Sequence, residues 1–309
     1  MGQGSADAIF FTEVGPRDGL QNLDRTLGLG PKVELIRSLL AAGVDQVEAT
    51  SFVSPRWVPQ LADAAEVMAQ LMADVPAETA GRLRVLVPNR LGLERALAAG
   101  ATRVVVNLGC SESFNKRNLN HTISETLAEI AQVAEVATAH GCTWDASLSV
   151  AFGCPFEGQV EVDGVVRLAS ELAQLGAAEL SVADTIGVAQ PAQVERMVRR
   201  LQDVVPLARL ALHLHDTRGL GLACALVAYR LGVRRFEGSV GGIGGCPFAP
   251  RSTGNVCSED LLHLLRGLGA HSTIDLSALC GIAQRLEHEL GRELPGRLYR
   301  AGLWPAASA

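Results

Sequence analysis

Two kinds of segment alternate along the chain. Short apolar, β-branched runs recur at Ile9 to Val14, Gln46 to Ala49, Leu83 to Val87, Arg103 to Leu108, Thr143 to Val150, Glu179 to Ala183, Arg209 to His215 and Arg235 to Ser239. Between them apolar residues fall at helical spacing, as at Val33, Ile36, Leu39 and Leu40 after Pro31, and at Val194, Met197, Val198 and Leu201 after Pro191. Both prolines read as first helical residues, where a missing N–H costs nothing. Phrases such as "AAGVDQVEA", "AAGATRVVV", "QLGAAELSV" and "RLGVRRFEGS" mark a helix end, a glycine stop and the next strand. Strands alternating with helices predict a parallel sheet, and eight units of this size suit a closed (β/α)8 TIM barrel. A doubly wound open sheet is the alternative. No linker interrupts the pattern, so residues 1–309 read as one domain. The barrel spans about residues 8–272 and a helical extension about 273–309, with a further helix from Asp275 to Leu290.

Composition narrows the function classes. The chain is 48% hydrophobic and 19% charged with a formal net charge of -6, which fits a packed α/β protein and gives no electrostatic reason to bind nucleic acid. An anionic ligand therefore needs a local cationic site. Seven cysteines without a CxxC pair favour a reducing compartment over a disulfide framework or zinc knuckle. "MGQGSADA" lacks a signal-peptide pattern and no apolar run reaches membrane-spanning length, so a cytoplasmic protein without a membrane partner is expected.

Polar residues collect where strands end, the usual place for chemistry in such folds. "EVGPRDGLQN" sets Arg17 beside Asp18 after the first strand; the plainer reading is a surface turn with a salt bridge. His213 and His215, two apart on the seventh strand, face the same way. They could share a divalent metal with a carboxylate, or be buried histidines bonded to backbone carbonyls or to Asp216. Glu48 and Ser51 follow the second strand; Glu48 could be an active-site acid or an ion-pair partner. Asp184 follows the sixth strand and could equally cap a turn. "SVGGIGGCPFAPRSTGN" is a glycine-rich segment offering Cys246 and Asn255, and it fits neither the P-loop nor the GxGxxG pattern.

Taken together, "TEVGPRDGLQN", "VEATSFVSPRWVPQLAD", "GCPFEG", "ADTIGV", "HLHDTRG" and "GGIGGCPFAPRSTGN" resemble the 3-hydroxy-3-methylglutaryl-CoA lyase family of metal-dependent Claisen-type enzymes, from about residue 8 to 290. The resemblance implies a (β/α)8 barrel and cleavage of 3-hydroxy-3-methylglutaryl-CoA, a CoA thioester, into acetyl-CoA and acetoacetate. It implies Asp18, His213, His215 and Asn255 as ligands of Mg²⁺ or Mn²⁺, and Arg17 as the group that meets the developing enolate oxygen. Glu48 and Asp184 match active-site acids, Cys246 the catalytic loop cysteine, and His213 is also a candidate base. Gln21, Ser51, Ser147 and Arg251 are expected to face the acyl-CoA substrate, and a homodimer is common in the family. The chain departs from the family at Arg251, where glycine is usual, and at Ser147, where well-known members carry tyrosine. The second change is expected to enlarge the acyl pocket, and a longer 3-alkyl branch on the substrate is the alternative. A forward-running Claisen synthase usually adds a long C-terminal region and lacks the Gly-Gly-Cys-Pro segment; a non-enzymatic metal-binding scaffold would leave Arg17 and Cys246 without a task.

Overall fold

In a computed structural model, which describes residues 7–74, 76–245 and 254–304, eight parallel strands close into a barrel. They are β1 (Phe10–Glu13), β2 (Gln46–Ser51), β3 (Leu83–Leu86), β4 (Arg103–Gly109), β5 (Thr143–Ser149), β6 (Leu180–Asp184), β7 (Leu210–Leu214) and β8 (Arg235–Gly238). Closure is direct: β1 pairs with β8, with Phe11 opposite Phe236 and Thr12 opposite Glu237. An open doubly wound sheet would leave those edges unpaired. Helices such as Leu29–Ala41, Ile123–Ala139, Val162–Gln174 and Pro191–Leu201 pack around the outside, and the expected extra helix runs from Leu276 to Leu290, capped by Asp275.

Two sequence expectations about helix ends come out differently. Pro191 opens its helix, but Pro31 stands third in Leu29–Ala41, inside the first turn where the amide has no intrahelical acceptor in any case. The glycine stops hold: Gly43, Gly100, Gly176 and Gly232 have φ of +87°, +86°, +98° and +98°, a conformation that residues with a Cβ rarely adopt.

The barrel sorts side chains by polarity. Phe236, Leu212, Leu214, Leu180 and Val182 are buried in the hydrophobic core with the surrounding helices. The alternate positions point inward and are polar: His213, Glu237, Glu179, Ser181, Glu48 and Arg84 are all buried. On the barrel floor Arg84 meets Glu48, Glu237, Glu179 and Asp145, while Arg103 pairs with Asp145 and Arg235 with Glu179. The interior is thus a charge-paired core whose upper rim is the site described below.

Glu13 joins the first and last strands. Its Oε1 accepts the amides of Gly15 at 2.8 Å and Val240 at 2.9 Å, and its Oε2 accepts the Ser258 hydroxyl at 2.6 Å. Burial pushes its pKa up to about 8 against those three donors. A carboxyl raised in the folded state contributes stability below its unfolded value near 4.5 and loses it as pH rises towards 8. Glutamine can make the same contacts, with its oxygen taking both amides and its nitrogen donating to Ser258. Glu13→Gln should therefore keep its melting temperature between pH 5 and pH 8 better than the parent. Parallel melting curves for the two proteins across that range would assign the pH dependence to another group.

The six described cysteines are free thiols. Among the described residues no helix is long and apolar enough to cross a membrane.

Candidate metal centre and active site

The first strand runs into a single wide helical turn, Gly15–Gly19, in which the amides of Arg17, Asp18 and Gly19 converge on the Val14 carbonyl at 3.2, 2.8 and 3.3 Å. Such turns are frequent at functional sites because they re-aim side chains from a strand end. Here they turn Arg17 and Asp18 over the barrel mouth. The Arg17 Nε donates to Glu48 Oε1, and its Nη1 donates to Asp18 Oδ1 at 2.8 Å. The turn is therefore no ordinary surface turn: both charges are largely buried, with side chains 13% and 14% exposed.

Asp18 is met by the two histidines. One ligand atom each from Asp18, His213 and His215 lies within 4.8 Å of the others, and His213 Nε2 is 3.9 Å from Asp18 Oδ2. Each imidazole is fixed from behind. His213 Nδ1 is 2.8 Å from Glu237 Oε2 on the neighbouring strand, and His215 Nδ1 is 3.0 Å from the Asp184 carbonyl oxygen. With Nδ1 donating, each Nε2 lone pair is left for the site, as in carboxylate–histidine–metal arrangements.

Asn255 supplies the test of whether a cation belongs here. Its Nδ2 donates to Asp18 Oδ2 at 2.8 Å and to the Ile243 carbonyl at 3.2 Å, which fixes the amide's orientation. Its Oδ1 is then buried without a hydrogen-bond partner. An unpartnered carbonyl oxygen on a side chain bonded to Asp18 adds an acceptor to the carboxylate and two imidazoles of the cluster, a set costly alone and suited to a hard or borderline divalent ion. The residues present fit the metal the sequence implied.

Charges reinforce this order. Burial opposes ionisation of Asp18, but Arg17 and the two histidines outweigh it and hold the carboxyl below its ordinary range. Burial also disfavours a charged His213, yet the Glu237 carboxylate on Nδ1 carries its pKa above the usual value. His215 has no carboxylate behind it; burial and the nearby His213 push it down to about 4. Its neutral form, the one that ligates metals, holds through the physiological range.

The remaining sequence candidates differ in what surrounds them. Glu48 lies between Arg17 and Arg84 and is wholly buried, which is the ion-pair reading of this residue. Asp184 uses both carboxylate oxygens on the amides of Val188 and Ala189, at 2.8 and 3.0 Å, which is turn capping, while its carbonyl holds His215. Ser51 is buried at the end of β2, where its hydroxyl accepts the Val53 amide at 3.3 Å. Gln21 is half-buried just beyond the Gly15–Gly19 turn. Ser147 is half-buried on β5, level with Asn107 on β4 and Ser181 on β6. Cys246 and Arg251 lie outside the described residues.

Sequence reasoning missed Glu237, Arg84, Asn22 and Gly244. Asn22 donates to the Gly245 carbonyl at 2.6 Å and so ties the chain just after the Gly15–Gly19 turn to the glycine-rich segment. At Gly244, with φ +124°, an added Cβ would stand 2.5 Å from Asn255 Nδ2. Gly244→Ala should therefore displace Asn255 and weaken Mn²⁺ binding by about 10- to 100-fold, the usual cost of disturbing a ligand's support. An unchanged Mn²⁺ titration in that variant would show that Asn255 contributes little. One glycine among the four of "GGIGG" carried no positional signal of its own in the sequence.

Comparison with known proteins agrees with the geometry. The HMGL-like family model matches residues 8–286. The (R)-citramalyl-CoA lyase of Chloroflexus aurantiacus is 43% identical over 302 residues, covering 96% of this chain and 95% of the relative. A 3-hydroxy-3-isohexenylglutaryl-CoA/hydroxy-methylglutaryl-CoA lyase of Pseudomonas aeruginosa is 41% identical, covering 95% and 96%. The crystal structure of the HMG-CoA lyase of Bacillus subtilis superposes with a TM-score of 0.92 at 39% identity, covering 96% of this chain and 98% of the other. With barrel, turn, histidine pair and asparagine all in place, the chain belongs to the HMGL-like family.

Proposed function

We propose that the protein is a metal-dependent carbon–carbon lyase that cleaves 3-hydroxy-3-methylglutaryl-CoA into acetyl-CoA and acetoacetate. The observation that carries this reading is the juxtaposition of Arg17 with the acceptor set of Asp18, His213, His215 and the orphaned Asn255 Oδ1. A bound divalent cation supplies Lewis acidity at the substrate's tertiary hydroxyl. Asp18, His213, His215 and Asn255 would hold it.

The chain's own residues do the rest. Cleavage leaves a thioester enolate, whose oxygen gathers negative charge only as the bond breaks. Arg17 is pinned on Nε by Glu48 and on Nη1 by Asp18, so its Nη2 is the donor we assign to that oxygen. A guanidinium fixed before the reaction needs no reorganisation as the charge develops. Glu237 on Nδ1 raises the basicity of His213 Nε2, whose single free lone pair serves one of the two tasks assigned to that imidazole at a time, ligation or acceptance of the hydroxyl proton. Cys246 is the proton donor to the enolate carbon on the strength of its motif alone. Free thiols throughout the described residues suit the cytoplasmic setting we assign.

A second reading of the acyl group has its own support. The barrel wall beside Ser147 is small and polar: Ser149 donates to Asn107 Oδ1 at 2.7 Å, and the buried Ser181 hydroxyl has no partner. Such a wall accommodates a carboxylate carried directly on the carbinol carbon, as in the substrate named for the Chloroflexus relative, at least as well as an alkyl branch. The deciding experiment offers the purified protein, with Mg²⁺ or Mn²⁺, the methylglutaryl, citramalyl and longer 3-alkylglutaryl thioesters, and follows acetyl-CoA release. The highest kcat/KM on the methylglutaryl compound is expected. Preference for citramalyl-CoA would move the substrate and keep the mechanism; no release from any of the three would overturn both.

A further inference from the structure

We propose that Arg84 is a positioning residue that sets Arg17 and His213 in a common geometry through Glu48 and Glu237. The inference rests on the lyase reading for its catalytic consequence, though not for its structural basis.

Arg84 lies on β3, level with Glu48 on β2, and is 1% exposed. Its Nη2 donates to Glu48 Oε2 at 2.5 Å and to Glu237 Oε1 at 2.7 Å. A guanidinium terminal nitrogen carries two hydrogens, so both are used. Each carboxylate turns its other oxygen upward to a residue of the site: Glu48 Oε1 takes Arg17 Nε, and Glu237 Oε2 is bonded to His213 Nδ1 at 2.8 Å. The result is a continuous chain, Arg17–Glu48–Arg84–Glu237–His213. It joins the group we assign to the enolate with a group we assign to the metal.

The other floor contacts separate this role from simple charge balance. Nη1 of Arg84 faces Glu179 at 3.4 Å and Asp145 at 3.8 Å, both longer. Those two acids have cations of their own in Arg235 and Arg103. Glu237 has no other arginine partner among the described residues. Without Arg84, two buried carboxylates would face each other across the floor, and each would shift towards its remaining partner. Glu48 would draw on Arg17, and Glu237 on His213.

Lysine keeps the charge, but its side chain ends short of the guanidinium's terminal nitrogens, so its ammonium does not stand where Nη2 bridges Glu48 and Glu237; glutamine removes the charge as well. The test compares Arg84→Lys and Arg84→Gln with Arg103→Lys, whose parent side chain donates to Asp145 at 2.7 and 2.8 Å. Mn²⁺ affinity is read by the electron paramagnetic resonance signal of free Mn²⁺, and kcat and KM by acetyl-CoA release. For a folded Arg84 variant, we expect Mn²⁺ to bind about 10- to 100-fold more weakly and kcat to fall by a similar factor. KM should change little, and Arg103→Lys should alter neither quantity. Parental Mn²⁺ affinity and kcat in Arg84→Gln would overturn the proposal, as would equal losses in Arg103→Lys. If both Arg84 variants fail to fold while Arg103→Lys folds, the residue is a structural support and the proposal fails. Should the parent protein release no acetyl-CoA, the substrate assignment is at fault, and the Mn²⁺ arm still decides the role of Arg84.

Discussion

Arg17→Met is expected to lower kcat by about 10²- to 10³-fold, the effect of removing one pre-positioned donor to a developing oxyanion, equivalent to about 3–4 kcal/mol of transition-state stabilisation. Two contacts make the estimate specific to this side chain. Glu48 holds Nε and Asp18 holds Nη1, so the guanidinium is oriented before any substrate arrives. Since the thioester carbonyl carries little charge in the ground state, KM should move far less than kcat. Arg17→Lys should recover only part of the loss, because an ammonium cannot meet Glu48, Asp18 and a substrate oxygen along one plane. Steady-state kinetics on the three proteins checks this. A methionine variant with parental kcat would remove Arg17 from the chemistry and return it to the salt-bridge reading.

Asp18→Ala should abolish measurable metal-dependent turnover and weaken Mn²⁺ binding by at least about 100-fold, beyond the loss expected for residues that only support a ligand. The carboxylate is the one anion among the assigned ligands and also the acceptor that orients Asn255, so its removal costs two contacts at once. The substitution also leaves Arg17 without one of its two carboxylates. A double variant with Arg17→Met separates these effects: Mn²⁺ binding should be as weak in the double variant as in Asp18→Ala alone. Calorimetric titration with Mn²⁺ measures it. Parental affinity in Asp18→Ala would place the cation elsewhere.

The barrel was legible because its outer half obeys a simple rule. Leu180, Val182, Leu212, Leu214 and Phe236 alternate with other residues and pack under the helices, so strand positions and the glycine stops stand out. The site was legible where chemistry-bearing residues sit close in sequence, as in Arg17–Asp18 and His213–His215. What lay beyond the sequence is the other half of each strand. In "RRFEGS", Glu237 next to Phe236 reads as the solvent face of a half-buried strand, and Arg84 between Leu83 and Val85 reads the same way. In a closed barrel the face opposite the helices is the interior, so the polar positions are the ones that meet. Which acid meets which arginine depends on strand register, and no local pattern encodes it. Asp184 carried two readings from the sequence, active-site acid and turn cap, and its oxygens accept two loop amides as the second describes.

Asn255 and Asp18 touch across 237 residues of sequence. During synthesis neither can find the other until nearly the whole barrel has emerged and β8 has paired with β1. A cation held between them would bind the closed ring in preference to any open intermediate and favour it by mass action. Free Mn²⁺ in a refolding mixture should then act late, deepening the final state without hastening the early collapse of the strands.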